Sequence, residues 1–517
     1  MEMKKYPIGI QSFEELRKGG YLYIDKTSLI YKIAVAGKYY FFSRPRRFGK
    51  SLLVNTLKAY FEGKCELFEG LAIEQLEKEW NHYPVLHFDF STGKFETRDL
   101  LSKAIDYKLS EFEKEYGLEK GDYPVNVRMT RLIKAAFEKT GRQVVILVDE
   151  YDSPMLQHID NDVEQDGVRM EMRNLFSPIK EADPWLRFVL LTGITKFSQM
   201  SIFSELNNLE NISMVPFYDT LCGISEEELT TQMRPDIEML AQRYGESYDE
   251  MVQELKQMYD GYHFSEQKTD IYNPFSLLNA FKSQKLSPYW FGTGTPTFLT
   301  KLIHKFKMDL RDLDGISCMS TRFDQPVEHV ADPVPVLYQS GYLTIKDYNR
   351  QRDTYVLGFP NLEVRRGFAN SLFEYANPGK ASERDWLYMS YQDFKEDDDL
   401  PAFVEAIKTF YSSVSYQLSN DNERHYQALL YTLLVAFGAD VQPEVATAKG
   451  RADIVLKMPA AVYVFELKYG KTAAEALAQI NDRGYALAYQ KDGQRVVKVG
   501  INFSPETHNI DEWVSEE

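Results

Sequence analysis

Short apolar runs alternate with longer helical patterns over the first 200 residues. The candidate strands are Tyr39–Ser43, Val85–Phe90, Val144–Asp149 and Phe188–Thr192. Helical patterns lie between them, near Ser51–Glu62, Thr97–Tyr116 and Val125–Lys139. This order is typical of an α/β domain built around a mostly parallel sheet. The run VVILV is apolar throughout, as expected of a strand that is buried on both faces.

The middle of the chain changes in character. Residues Ser225–Tyr262 are acidic and helical in pattern, which predicts a helical lid or a small helical subdomain. Between about 270 and 375, short helical patterns surround a strand-like stretch, Leu337–Tyr348, and suggest a helical or winged-helix-like connector. Pro, Gly and a charge run between 376 and 400 predict a linker.

The last 120 residues predict a second α/β domain. The expected elements are a helix Glu423–Phe437, a hairpin Arg451–Leu467, a helix Ala473–Tyr489 and a strand Arg495–Asn502. The predicted domains are therefore 1–265 with its lid, the connector 266–385, and 386–517.

Composition narrows the class of protein. The hydrophobic fraction of 44% and the charged fraction of 26% are those of an ordinary globular protein. There is no apolar run of membrane-spanning length, and MEMKKYPIGIQSFEEL lacks the apolar core of a secretory signal. The three cysteines lie far apart, which argues against a zinc knuckle or a disulfide framework and favours a reducing, cytoplasmic compartment. A net charge of −17 argues against a protein that coats nucleic acid non-specifically.

SRPRRFGKSLL (43–53) follows one strand and opens a helix, the context in which a phosphate loop binds a nucleotide. Lys50 would reach the β- and γ-phosphates, and the Ser51 hydroxyl would ligate Mg²⁺. The other predicted nucleotide-binding residues of this loop are Arg46, Arg47 and Gly49. Arg44 stands where the general pattern has its first glycine, so an ordinary loop with a basic cap remains an alternative.

A second element of a nucleotide site follows about 100 residues later, in VVILVDEYD (144–152). Asp149, at the tip of the strand, would hold Mg²⁺ through water, and Glu150 would orient the attacking water. Thr192, at the end of the next strand, is a candidate sensor of the γ-phosphate. The alternative is a buried strand that enters an acidic turn.

GRADIVLKMPAAVYVFELKYG (450–470) predicts two apolar strands around a turn at 458–461. If that turn sets the register, Asp453 lies opposite Glu466, and Glu466 shares a face with Lys468. Two opposed carboxylates repel each other unless a cation lies between them, and Mg²⁺ or Mn²⁺ prefers such oxygen ligands. The spacing D-x₁₂-E-x-K is that of a PD-(D/E)XK nuclease; the alternative is an exposed edge pair.

RPRRFGKSLL, LVDEYD, LTGITKFS, YDGYHF and YNPFSLLNA, together with the C-terminal hairpin, resemble the bacterial AAA-ATPase-like proteins that carry a PD-(D/E)XK nuclease-like domain. The resemblance covers nearly the whole chain, and it makes Arg44 a family feature. It implies an ASCE-type P-loop NTPase fold, with Lys50, Ser51, Asp149 and Glu150 in the roles given above.

The same resemblance adds positions around the hairpin. Glu423 would reach the metal directly or through water, although an acid at a helix start is also favoured by the helix dipole. Gln479 and Tyr485 resemble a supporting Gln/Tyr element on the following helix, and Glu444 is a further acid nearby.

The leading hypothesis is an ATP-binding protein, an ATPase, whose C-terminal domain acts on DNA or RNA with Asp453, Glu466 and Lys468 as catalytic residues. The alternative is a nucleotide-dependent switch or scaffold with an inactive nuclease-like module, and a homo-oligomer is left open. The window 441–500 holds 9 Lys and Arg against 6 Asp and Glu. The overall acidity therefore permits a local phosphodiester site.

Overall fold

The structure is a computed structural model, and it describes residues 5–159, 161–196, 209–291, 297–324, 331–376, 381–414, 422–490 and 493–517. Its contacts divide the chain into two compact units. The N-terminal unit comprises 1–293 and 315–361, and the C-terminal unit comprises 294–314 and 362–517. The chain therefore enters the C-terminal unit twice.

The N-terminal unit is built on a parallel sheet. Its strands are β1 (Tyr39–Ser43), β2 (Val85–Asp89), β3 (Val144–Asp149), β4 (Leu186–Gly193) and β5 (Glu210–Asn211). They are arranged in the order β2-β3-β4-β1-β5, and all four pairings are parallel. Because the strands are parallel, their carboxyl ends meet at one edge of the sheet. The four predicted strands and the α/β fold class are confirmed.

Helices connect these strands, and the three predicted helical segments are confirmed with ends shifted by a residue or two. The α-helices up to residue 181 are Phe13–Lys18, Thr27–Ala36, Lys50–Phe61, Ile73–Leu76, Arg98–Glu115, Val125–Thr140, Ser153–Leu156, Asp162–Phe176 and Pro178–Glu181. Short 3₁₀ turns occupy Cys65–Phe68, Asp183–Trp185 and Pro216–Leu221. Every residue of β3 is buried, which explains its uninterrupted apolar run.

The acidic stretch after residue 225 is helical, as its pattern predicts. The helices here are Glu226–Gln232, Arg234–Tyr244, Tyr248–Tyr259 and Pro274–Ser283, and a small antiparallel pair joins β6 (Ile224–Ser225) to β7 (Ile271–Tyr272). Ser225 and Ser247 each form a capping box, with Glu228 and Glu250 respectively. Each capping box satisfies backbone N–H groups that a helix start would otherwise leave without partners.

A three-stranded antiparallel sheet follows, with β8 (Ile316–Cys318), β9 (Thr344–Asn349) and β10 (Thr354–Gly358) in the order β8-β10-β9. Short helices occupy Ser320–Phe323 and Val334–Gln339. The strand-like interpretation of Leu337–Tyr348 was wrong for its first half, because those residues finish a helix and turn through Gly341 before β9 begins. Gly341 has φ +88°, a conformation that favours glycine.

The C-terminal unit is built on a mixed sheet in the order β11-β12-β13-β14-β15. Its strands are β11 (Asp440–Thr447), β12 (Gly450–Lys457), β13 (Val462–Tyr469), β14 (Val496–Phe503) and β15 (Ile510–Glu516). β13 and β14 are parallel, and the other pairs are antiparallel. The predicted hairpin is confirmed, including its turn, where Met458 N donates to Ala461 O at 3.0 Å.

The helices of this unit include one that replaces the predicted linker. They are Thr297–Phe306, Leu362–Ala376, Ala381–Asp397, Leu400–Ser413, Glu423–Ala436, Ala473–Arg483 and Leu487–Gln490. The charged stretch around Asp393 thus belongs to a helix, since Leu387, Tyr391 and Phe394 are buried at helical spacing. Residues 377–380 of the predicted linker lie outside the described residues. The helix predicted to reach Tyr489 ends earlier, at Gly484, whose φ of +66° caps it.

Among the described residues, no helix is both long and apolar enough to cross a membrane.

Candidate functional site

The phosphate loop, residues 44–49, joins β1 to the helix Lys50–Phe61, called the Lys50 helix below. Gly49 precedes the helix with φ +93°, in the left-handed region that glycine adopts without strain. It forms no side-chain cap, so the N–H groups of the first helical turn are not satisfied by that residue. Such an uncapped N-terminus is a ready site for an anion.

Lys50, the first residue of the helix, directs its side chain back to this loop. Its side chain is buried, and Nζ donates hydrogen bonds to the carbonyl oxygens of Arg44 at 2.9 Å and Pro45 at 3.0 Å. Ser51 is the next residue and is half-buried. The loop therefore holds a positive charge beside the open end of the helix.

Arg44 is buried, and its guanidinium is bound by backbone carbonyl groups outside the loop. It donates to the carbonyl oxygens of Ser213 at 2.7 Å and Tyr218 at 3.1 Å, and it lies 4.5 Å from the Phe42 ring centroid and 3.9 Å from that of Phe264. Burial lowers its pKa to about 10, which still leaves it charged at neutral pH. The side chain that replaces the expected glycine is thus accommodated by packing outside the loop.

Two acidic residues, Asp149 and Glu150, lie at the carboxyl end of β3. This strand pairs with β4, which in turn pairs with β1, the strand before the phosphate loop. Asp149 is buried, and its Oδ1 accepts a hydrogen bond from Thr192 Oγ1 at 2.7 Å and from Glu150 N at 3.1 Å. Glu150 has φ +50°, an uncommon conformation for a residue with a side chain. Burial has the largest effect on the pKa of Glu150 and raises it. The charge of Lys50 opposes this rise but does not cancel it. Lys50, Asp149, Glu150 and Thr192 are therefore gathered at one edge of the sheet.

Asp152 was missed as a site residue by sequence reasoning. Its buried Oδ2 accepts hydrogen bonds from Ile194 N at 3.0 Å, Thr195 N at 2.6 Å and Thr195 Oγ1 at 2.7 Å. It thereby ties the end of β3 to the end of β4. The sequence does show Asp152 as the third acid of VDEYD. Its structural role could not be predicted, because it depends on which strand lies beside β3.

A cavity of about 100 Å³ lies beside the start of the Lys50 helix. Its walls include Gly49, Leu52 and Leu53 of the loop and helix, together with Ile24, Cys222 and Leu278. It is apolar except for a few groups, notably Lys26, whose Nζ donates to both carboxylate oxygens of Glu228 at 2.5 and 2.6 Å. Burial lowers the pKa of Lys26, although Glu228 opposes that shift. The walls come from widely separated segments, so no local pattern could have predicted them.

The C-terminal hairpin has the predicted register. Lys457 pairs with Val462, and the ladder runs as far as Ile454 opposite Phe465. Asp453 and Glu466 are the next residues on each strand. Leu467 N donates to Asp453 Oδ2 at 2.7 Å, which places the Asp453 carboxylate at β13.

Glu466 and Lys468 are buried on β13, with 1% and 5% of their surface exposed. Lys468 Nζ donates to Glu466 Oε1 at 2.8 Å and is 3.5 Å from Oε1 of Glu423. Glu423 begins the helix Glu423–Ala436, called the Glu423 helix, after the N-cap Asn422. The structure therefore brings Glu423, Glu466 and Lys468 together as a cluster, with Asp453 at its edge.

The electrostatics of this cluster favour a cation. Burial and then the charge of Glu466 raise the pKa of Asp453 well above its ordinary value. Burial also raises the pKa of Glu466, against the attraction of Lys468. The buried Oε2 of Glu466 has no hydrogen-bond partner among the described residues. An oxygen-preferring divalent cation would satisfy that atom and relieve the repulsion, so the donor set fits one.

The cluster is not a closed metal cage. Within the described residues, no three His, Cys, Asp or Glu side chains are gathered closely enough to hold a metal ion. The ammonium of Lys468 lies between the carboxylates of Glu423 and Glu466.

The supporting residues surround the hairpin. Gln479 Nε2 donates to Tyr485 OH at 3.4 Å, and Tyr485 is buried against Gly450, where a Cβ would lie only 2.6 Å from its hydroxyl. Glu444, on β11, accepts from Arg451 Nη1 at 3.1 Å.

A phosphate loop on a parallel sheet and a carboxylate–lysine hairpin on a mixed sheet define an ATPase-like protein with a nuclease-like domain. Comparisons with known proteins agree. Residues 7–203 match a family model described as "Predicted AAA-ATPase", and residues 421–513 match one described as "PD-(D/E)XK nuclease superfamily".

A curated relative, the "Uncharacterized protein in vnfD 5'region" of Azotobacter chroococcum mcd 1, is 34% identical over 529 aligned positions, which span 100% of this chain and 99% of the relative. The chain belongs to the family of AAA-ATPase-like proteins with a C-terminal PD-(D/E)XK nuclease superfamily domain, and the resemblance drawn from the sequence is confirmed.

Proposed function

We propose that the chain is an ATP-dependent nuclease, in which the N-terminal unit binds and hydrolyses ATP with Mg²⁺ and the C-terminal unit cleaves phosphodiester bonds of DNA or RNA with Mg²⁺ or Mn²⁺. The observation that carries the proposal is the half-buried carboxylate of Asp453 and the buried carboxylate of Glu466 beside a buried lysine, in a chain that also has a lysine-bearing phosphate loop. The three cysteines are free thiols, which suits a reducing cytoplasm.

In the N-terminal unit, Lys50 would exchange the loop carbonyls for the β- and γ-phosphates, and the N–H groups of the Lys50 helix would complete the anion site. Ser51 and Asp149 would hold the Mg²⁺ that accompanies ATP. Glu150, with its pKa raised by burial, is suited to accept a hydrogen bond from the attacking water.

The cavity beside Gly49 would take the base of the nucleotide. Its apolar walls suit the faces of a purine ring, and an ammonium has three donors, of which Lys26 uses two on Glu228. The remaining N–H is available to a ring nitrogen of the base.

In the C-terminal unit, Asp453 and Glu466 would hold a divalent cation, and Glu423 would reach it through water. Such a cation polarises a phosphate and activates water when bound. Burial opposes the charge of Lys468, but its hydrogen bond to Glu466 and the charge of Glu466 outweigh burial and raise its pKa. Lys468 therefore remains an ammonium at neutral pH. A general base would have to be a neutral amine, and Lys468 is charged. Its proposed role is therefore to stabilise the negative charge that develops on the phosphate.

A cleavage assay tests the nuclease. Wild type, Asp453→Asn and Lys468→Ala are compared on DNA and on RNA with Mg²⁺ or Mn²⁺. Each variant is expected to lose about 100-fold or more in rate, and equal cleavage by all three proteins would contradict the assignment.

Calorimetric titration tests the nucleotide site. Lys50→Ala is expected to weaken binding of ATP by about tenfold or more, since a hydrogen bond to a charged group contributes about 1.5–3 kcal/mol. Wild type that takes up no ATP at millimolar concentration would refute ATP binding.

The second candidate is a nucleotide-dependent switch or scaffold whose nuclease-like domain is inactive. The position of Lys468 between Glu423 and Glu466, in place of a three-carboxylate cluster, favours it. A change in oligomer size with ATP, without cleavage of nucleotide or nucleic acid, would support this candidate.

A further inference from the structure

A short part of the chain, residues 297–314, is separated in sequence from the rest of its unit. We call it the crossing segment, because the residues on both sides of it, up to 293 and from 315, belong to the N-terminal unit. It consists of the helix Thr297–Phe306 and the turn Leu310–Asp312, and Leu310 and Leu313 are buried. The segment is therefore an integral part of the C-terminal unit.

Arg311 connects this segment to the Glu423 helix. Its side chain is 4% exposed, and its guanidinium is paired with Asp309, with Nη2 2.7 Å from Oδ2. Nη2 also donates to the carbonyl oxygen of Arg424 at 2.8 Å, and Nη1 donates to Gln427 Oε1 at 2.9 Å. One buried guanidinium thus binds both the backbone and a side chain of the first turns of that helix.

The contact with Gln427 determines which way its amide points. A guanidinium has only donors, so the amide atom that faces Arg311 must be the oxygen. The amide nitrogen then faces Glu423, whose Oε1 lies 3.5 Å from Nε2. If the guanidinium were removed, the amide could rotate and present its oxygen to the Glu423 carboxylate, which would repel it.

The series of contacts continues into the hairpin cluster. Glu423 Oε1 is 3.5 Å from Lys468 Nζ, which donates to Glu466 Oε1 at 2.8 Å. Arg311 therefore reaches the carboxylates through Gln427, with each step within 3.5 Å. Arg424, by contrast, has an exposed side chain that does not reach the Gln427 amide. It pairs with Asp312, whose side chain is also exposed, and its Nε lies 3.5 Å from Oδ2 of Asp309.

We propose that Arg311 is a positioning residue of the hairpin metal site, fixing the Gln427 amide and through it the Glu423 carboxylate. This inference rests on the proposed metal site and goes beyond it, because it assigns a part of that site to a segment that lies, in sequence, between two stretches of the N-terminal unit. Residues that orient a metal's ligands typically contribute 10- to 100-fold in affinity or activity, on the order of the effect expected here.

The test is a titration of the full-length protein with Mn²⁺ alone, followed by electron paramagnetic resonance, with Asp453→Asn defining the binding that belongs to the hairpin. Arg311→Ala is expected to raise the Kd for that Mn²⁺ by about 10- to 100-fold. Arg424→Ala is the matched control, since it removes ion pairs with Asp309 and Asp312 between the same two elements and leaves the contact of Arg311 with Gln427 in place. It should change the Kd by less than about fivefold.

A double-variant cycle separates positioning from general support of the fold. Gln427→Ala should raise the Kd as Arg311→Ala does, and the double variant should be no worse than either single variant, because both changes remove one connection. Arg311→Lys should restore part of the affinity, as a lysine can donate to Gln427 but cannot match the guanidinium's several donors. The Gln427 and Lys variants keep the test valid if Arg311→Ala does not fold.

Fully additive losses, or an unchanged Kd in Arg311→Ala, would overturn the role of Arg311 and leave the metal site standing. Absence of Asp453-dependent Mn²⁺ binding in the wild type would remove the metal site itself, and the role of Arg311 with it.

Discussion

At the scale of single residues, the two candidate sites depend on charged groups that are buried and must therefore be paired. Lys26 is paired with Glu228, Lys50 with loop carbonyls, and Lys468 with Glu466. Each ammonium is held by acceptors that a ligand could supplement or replace. Their chemistry can be tested by removing one charge at a time.

Lys26→Met is expected to weaken ATP binding by about tenfold, because one charge-assisted hydrogen bond to the base is lost. Binding of inorganic tripolyphosphate should not change, since it has no base and would contact only the loop and the Lys50 helix. Calorimetric titration with both ligands measures the difference. Equal weakening for the two ligands would show that Lys26 does not act on the base.

Asp260 is expected to make the stability of the fold depend on pH. Its side chain is fully buried, and burial, followed by the charge of Asp270, raises its pKa to about 7. The folded state thus retains this proton at pH values where the unfolded chain, with the ordinary value of 3.8, has lost it. The contribution of Asp260 to the free energy of unfolding must fall as pH rises from about 4 through about 7, and it should stay lower above that range.

Asp260→Asn removes this titration. Its thermal midpoint should exceed that of the wild type at pH 8 by on the order of 2–4 °C, and the advantage should shrink towards pH 4. Scanning calorimetry at several pH values gives the comparison, with Asp122→Asn as the control at an exposed acid. A constant difference between wild type and Asp260→Asn across this range would argue against a raised pKa at Asp260.

At the scale of elements, the sequence predicted best the strands that are buried along most of their length. β1 and β3 are apolar runs that end in polar residues, and the alternation along β13 placed Glu466 and Lys468 on one face. β11 and β15 were not predicted, because they are the outer strands of their sheet and carry many exposed polar residues. Polar edge strands are common in natural sheets and hide the usual apolar signal.

Contacts between distant residues were also beyond prediction from the sequence. Nothing near Arg311 in sequence indicates that its guanidinium meets Gln427, which lies 116 positions away. The cavity around Lys26 is likewise lined by residues that are far apart in the sequence. Local patterns therefore predicted the strands that carry the reactive groups, and tertiary packing determined their partners.

Gly500 tests how closely the helix Ala473–Arg483 packs on β14. A Cβ at this position would lie 2.4 Å from Ala473 O and 2.8 Å from Leu477 N, both backbone atoms. Gly500→Ala is therefore expected to destabilise the C-terminal unit by about 1–3 kcal/mol, as other overpacked sites do. Denaturant titration measures the change.

The control is Gly167→Ala, within the helix Asp162–Phe176. The nearest atom to its new Cβ would be Arg98 Cδ at 3.3 Å, part of a flexible side chain. Here the added methyl should stabilise by about 0.5–1 kcal/mol, since alanine favours a helix over glycine. Destabilisation of similar size at both positions would mean that close packing at Gly500 is not the cause.

At the scale of the whole molecule, the net charge of −17 does not describe the hairpin's surroundings, where basic residues are in excess over 441–500. The family relationship confirms the two types of domain. The chain's path between the two units was not predicted, because it depends on the crossing segment. That segment makes the C-terminal unit discontinuous in sequence.

A fragment that begins at Leu362 is therefore expected to be less stable than the same unit within the full chain. It lacks the buried Leu310 and Leu313 and leaves Gln427 without Arg311. A synthetic peptide of residues 297–314, added to the fragment, should raise its thermal midpoint in a concentration-dependent way. An unchanged midpoint at millimolar peptide would contradict this expectation.

The same path has a consequence for how such a chain could evolve. A gene that exchanged its C-terminal domain at a single junction would bring in a new sheet but keep the old residues 297–314. The incoming domain would then have to pack against a segment from another protein, and Arg311 of that segment would need a suitable partner in the new domain. Recombination between members of the family should therefore favour junctions outside 297–517, or exchanges that carry both pieces together.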